Sequence, residues 1–108
     1  MQTERRRAPR YPFIAMAEIT DELENARTSS QVSDLSKHGC FVEMVNPFPQ
    51  GTNVLIEIFT ETESMEAHAT VARFEPRHGM GLTFDEIQPH FASVLGKWLR
   101  QARGRKAN

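Results

Sequence analysis

The sequence predicts an all-β protein: a six-stranded antiparallel β-barrel of the split-barrel type, followed by one C-terminal α-helix. Three observations carry this expectation. Between residues 11 and 86 lie six short runs of branched, aromatic or alternating apolar residues, each bounded by a polar or Gly/Pro-containing turn. Beyond residue 86 the hydrophobic period changes from two to that of a helix. At 108 residues and 39% hydrophobic, the chain holds one domain with one modest core. Six strands in about 75 residues are too many for a flat stack of hairpins, and closing them into a barrel removes exposed edges.

Taken in order, YPFIAMAEIT (11–20) mixes aromatic and branched residues as a strand does, with Pro12 limiting pairing at its start. The acidic DELENA (21–26) reads as a turn. TSSQVSDLS is a hydroxyl-rich strand whose end runs into a bend from Asp34 to Gly39. GCFVEMV is a short strand, NPFPQGTN a loop, and VLIEIFT the clearest strand of all. MEAHATVARFE (65–75) suits helix or strand by propensity, and the alternation of Ala67, Ala69, Val71 and Phe74 favours strand. After the turn PRHG, MGLTFDE supplies the last strand. In the remaining segment Ile87, Phe91, Val94, Leu95, Trp98 and Leu99 recur at helical spacing, with arginines crowding the end, where they suit the helix dipole. The expected organisation is a flexible N-terminal arginine arm at 1–10, a single barrel domain at 11–102 with its helix at about 87–102, and a basic tail at 103–108.

Net charge is −1, but it is unevenly spread: +3 over residues 1–10, +4 over residues 100–108, and −8 over the rest. An anion-binding surface must therefore draw on the cationic ends. The single Cys40 excludes an intramolecular disulfide, and histidines at 38, 68, 78 and 90 lack the short spacings of zinc sites, so no metal is expected. No run approaches the roughly 18 apolar residues that span a bilayer, and the first ten residues resemble no secretion signal. A cytoplasmic protein without membrane insertion is the expectation.

Two stretches stand out. RRRAPRYPF (5–13) places four of thirteen basic residues in six positions, all of them arginine, where a tail serving bulk attraction alone would tolerate lysine. In SDLSKHGCFVE, Asp34 and Ser36 lie two apart and so share one face in extended chain, with Gly39 where the chain turns back. An Asp carboxylate only accepts hydrogen bonds, whereas a Ser hydroxyl donates and accepts. Read alone, this pattern serves equally as a structural Asx-turn.

Together the two stretches resemble a PilZ domain, the bacterial receptor module for the second messenger cyclic di-GMP. Arg6 and Arg10 match the R-x-x-x-R of that family; Asp34, Ser36 and Gly39 match its [DN]-x-S-x-x-G; Gly79, Gly81, Leu82 and Phe84 match the G-x-G segment of its last strand. The resemblance covers essentially the whole chain and implies the barrel-plus-helix fold. It also implies a ligand, cyclic di-GMP, whose guanines present adjacent O6 and N7 acceptors. A guanidinium can satisfy both acceptors and stack on the ring. By similarity, Arg6 and Arg10 contact guanine and phosphate, Arg5 adds a stacking or phosphate contact, and Asp34 accepts from the guanine edge. Ser36 binds a phosphate or guanine edge, and Gly39 leaves room for the ligand. In the family an arginine immediately before R-x-x-x-R accompanies binding of an intercalated dimer of the dinucleotide, and Arg5 holds that position. The sequence leaves open whether Arg7, His38, Arg73 or Arg77 contacts ligand.

The implied mechanism is ordering of the arm over the barrel, which creates a surface for an unidentified downstream protein. The alternative is a PilZ-type protein-interaction adaptor that binds no nucleotide; such members generally lack the motif arginines, which this chain has. Nucleic acid is not expected as a partner, since the body is acidic and one Trp and one Tyr form no stacking platform. No enzymatic activity, catalytic residue or cofactor is expected either: Cys40 opens an apolar strand with no histidine placed to activate it.

Overall fold

The computed structural model describes residues 8–106. Its elements are β1 (Tyr11–Asp21), β2 (Arg27–Leu35), β3 (Gly39–Glu43), β4 (Asn53–Phe59), β5 (Ser64–Glu75), β6 (Gly79–Glu86) and α1 (Pro89–Lys106). The strands close into a barrel in the order β1-β2-β3-β6-β5-β4, with every pairing antiparallel. The expected all-β barrel with one terminal helix is thus what the chain forms.

Strict alternation builds the wall. Phe13, Ala15, Ala17 and Ile19 of β1 point inward, as do Val54, Ile56 and Ile58 of β4 and Met65, Ala67, Ala69 and Val71 of β5. Across the ladders Ala17 faces Ile58, Ala67 faces Ile56 and Ala69 faces Val54, so small residues oppose branched ones and the narrow interior fills. Pro12 is tolerated because β4 ends at Phe59, opposite Met16, leaving residues 11–15 paired only with β2.

Two expectations need correcting. Phe74 is 43% exposed: the shift between Val71 and Arg73 inserts Ala72 and pairs Phe74 with the buried Met80, but Phe74 stands one residue from the end of β5 and its ring is not packed into the core. The helix begins at Pro89 rather than Ile87, since proline suits a first helical position, and it runs on to Lys106. Residues 103–106, expected as tail, are helical: Ala102 is still buried, and the helix continues through Gly104 to Lys106.

The helix lies against β1 and β5. Trp98, 2% exposed, sits in the core with its ring 5.2 Å from that of Phe13. Its indole N–H donates to Glu63 Oε1 at 3.2 Å, while Lys97 Nζ reaches Glu63 Oε2 at 3.0 Å. One carboxylate on the β4–β5 turn therefore anchors two consecutive helical residues. The ammonium of Lys97 holds that carboxyl below its ordinary pKa.

Candidate functional site

On the outer face, register places Pro12, Asp34, Phe41, Gly81 and Arg73 side by side across five neighbouring strands. Beside this row opens a cleft of about 650 Å³. Ala8 and Arg10 border it on the arm, Asp34 and the Ser36–Gly39 turn on the β2–β3 side, and Arg73 on β5.

Arg10 and Asp34, 24 residues apart, meet at 3.1 Å between Nη2 and Oδ2. The β1–β2 ladder enforces this encounter, because Pro12 is the cross-strand partner of Asp34 and the arm leaves the barrel there. The other carboxylate oxygen, Oδ1, is buried and has no hydrogen-bond partner among the described residues. An acceptor in that state calls for a donor.

Ser36 is buried, and its hydroxyl accepts from the backbone N–H of His38 and of Gly39, both at 3.2 Å, and donates to the Gly39 carbonyl at 3.3 Å. Its own N–H also donates to that carbonyl at 2.8 Å. One donor and two acceptor sites are thereby spent on the turn. Gly39 is required by the wall itself: a Cβ there would stand 1.9 Å from the Leu82 carbonyl oxygen on β6. Both residues border the cleft, and the structure gives each a job in shaping it.

Arg10, Asp34, Ser36 and Gly39 thus come together in one cleft. Arg5 and Arg6 lie outside the described residues, as does Arg7. Of the positions the sequence left open, His38 and Arg73 line the cleft, whereas Arg77 borders a separate hollow with Phe41 and His78. Phe41 was not singled out by sequence. Its outward position follows from strand alternation, but its encounter with Arg73 depends on the non-sequential β3–β6 pairing.

Cys40 lies just beneath, buried, with its thiol pKa driven far up first by burial and then by the Asp34 carboxylate. It is held as an inert thiol. Among the described residues no group of side chains is arranged to hold a metal ion, and no helix is long and apolar enough to cross a membrane.

Solved structures share this architecture. An inhibitor of motility from Bacillus subtilis (MotI/DgrA) is 20% identical with a TM-score of 0.77, covering 98% of this chain and 53% of that one, so the chain spans about half its length. The PilZ domain of YcgR from Escherichia coli, solved with c-di-GMP, is 15% identical with a TM-score of 0.70, covering 97% and 99% of the two chains. The PilZ domain of CeSA from a cellulose-synthesizing bacterium is 19% identical with a TM-score of 0.66, covering 91% and 98%. No curated protein matches by sequence. The model of the PilZ domain matches residues 4–101, from the arginine arm through the six strands and most of α1, and the chain accordingly belongs to the PilZ domain family.

Proposed function

We propose that this chain is a cyclic di-GMP receptor domain, with its ligand clasped between the arginine arm and the Asp34 end of the cleft. The observation that carries the reading is the meeting of Arg10 and Asp34 beside a buried Oδ1 that has no partner among the described residues. A guanine supplies what that pair needs: its N1–H and N2–H₂ edge donates to the carboxylate, while its O6 and N7 accept from a guanidinium fork. The PilZ domain of YcgR was solved with this same ligand, which supports the assignment. The role is reception and not catalysis, in keeping with a Cys40 thiol that burial keeps protonated.

Arg5 and Arg6 complete the proposed site with Arg10, and Arg5 in its position before the motif favours two stacked dinucleotides. Ser36 and Gly39 act by holding the turn that forms the floor. Ligand binding draws residues 1–10 onto the barrel face and creates the surface that a downstream protein recognises. Calorimetric titration of the chain with cyclic di-GMP tests this. We expect heat and a molar ratio of two ligands per chain, both lost in Arg6→Ala and Arg10→Ala; absence of heat from the unaltered chain at tens of micromolar ligand refutes the reading.

A further inference from the structure

The outer faces of β1, β4 and β5 form a wall that shares no residue with the cleft. On β1, Ile14 and Met16 stand two apart between the buried Phe13, Ala15 and Ala17, so both project outward, 68% and 53% exposed. Met16 pairs across the ladder with Phe59 of β4, which also faces out and is half-buried. Scattered apolar residues on a surface need no explanation, but adjoining ones do.

One outward step down β1, about 7 Å from Met16, the character of the wall reverses. Glu18, Glu57 and Glu66 lie directly opposite one another across β1, β4 and β5. Like charges in that position weaken a sheet. Arg27 answers Glu18, and His68, the next outward residue of β5, is taken by Glu22. Among the described residues no cation pairs with Glu57 or Glu66. Relief for these two carboxylates has to come from outside the barrel.

The apolar patch and the acidic row are set side by side at the scale of a helix. Glu57 and Glu66 are one strand spacing apart, about 5 Å, which matches the roughly 5–6 Å between side chains at i and i+4 on a helix. A helix about 10 Å across covers both features at once. The chain's own cationic ends do not fit: residues 1–10 and 100–108 offer arginines but no Leu, Ile, Val or aromatic side chain to meet Ile14 and Met16.

We propose that this wall docks an amphipathic basic helix of a partner protein, with its apolar stripe on Ile14, Met16 and Phe59 and the Lys or Arg side chains of one flank against Glu57 and Glu66. The inference uses no residue of the cleft and stands apart from the nucleotide reading given above.

The test is fluorescence anisotropy of a labelled peptide of about 18 residues, long enough to hold a helix, titrated with the full chain. The probe carries a leucine stripe flanked by lysines; its control has glutamates in place of the lysines. The unaltered chain should bind the probe at least about tenfold more tightly than the control. Ile14→Ser with Met16→Ser should weaken probe binding roughly tenfold. Glu57→Gln with Glu66→Gln should weaken it about threefold, a difference that closes at high salt. Both double variants should keep the melting temperature of the unaltered chain or exceed it, since the serines replace exposed side chains and the glutamines end the like-charge opposition. No binding of the probe, unchanged affinity in either double variant, or equal binding of the control overturns the proposal. Sedimentation in which the unaltered chain pairs with itself while the Ile14→Ser, Met16→Ser form does not gives the patch to a second copy and overturns it as well.

Discussion

Replacing Asp34 with alanine separates what the fold needs from what the ligand needs. The substitution removes the ion pair with Arg10, whose side chains are 42% and 28% exposed. At that exposure the pair contributes about 0.2–1 kcal/mol. It also removes a buried acceptor oxygen that has no partner among the described residues, which costs the folded state about 1–3 kcal/mol. The balance favours the variant by about 1 kcal/mol, which for a domain of this size is a rise of some 4–8 °C in melting temperature. Binding should move the opposite way. Without the carboxylate the guanine edge has no acceptor, and affinity for cyclic di-GMP should fall at least about fivefold, the lower end of the value of a two-point contact. Thermal unfolding of the ligand-free proteins and titration with cyclic di-GMP provide the two readouts. A fall of more than about 4 °C would show that Asp34 braces the β1–β2 ladder and that its free oxygen is no reservoir of strain.

Three further outcomes follow from the geometry. Gly39→Ala must push β3 away from the Leu82 carbonyl, so chemical denaturation should show a loss of about 1–3 kcal/mol or more, with fold and site failing together. Trp98→Ala opens the largest cavity available in the core and should cost about 3–5 kcal/mol by the same measurement. His68 Nδ1 lies 2.6 Å from Glu22 Oε2, which raises its pKa; the small stabilisation from this pair is complete below the ordinary histidine pKa and disappears as pH rises through the raised folded value. An NMR titration should place the His68 midpoint above that of His68 in Glu22→Gln, and coincident midpoints would remove Glu22 as the cause.

Much of the barrel was legible because one face of each strand is buried. Val54, Ile56 and Ile58 announce their inward side by alternation alone, and the ambiguous stretch around Ala67 and Ala69 is settled by the same rule. Phe74 escaped because the inserted Ala72 pairs it with the inward-facing Met80, yet its place one residue from the end of β5 leaves its ring outside the core, which nothing local in ATVARF marks. The helix outran its expected end because arginine-rich residues after Ala102 suit both a tail and a last turn. At the site, Arg10 and Asp34 were legible through the two motifs that resemble the family, and the β1–β2 ladder is the physical reason that they meet. The second side of the cleft was not, because β3 finds β6 across 35 intervening residues or more, and only that pairing sets Phe41 beside Gly81 and Arg73.

The closeness of β3 to the Leu82 carbonyl reaches beyond this molecule. Any barrel closed in this manner must keep a glycine at the corner and a small hydroxyl to tie the bend, whether or not it has ever met a nucleotide. Half of the D-x-S-x-x-G signature is therefore a tax levied by architecture. A sibling chain that had abandoned signalling would still carry it, and only the acidic member and the guanidinium that answers it can testify to a living receptor.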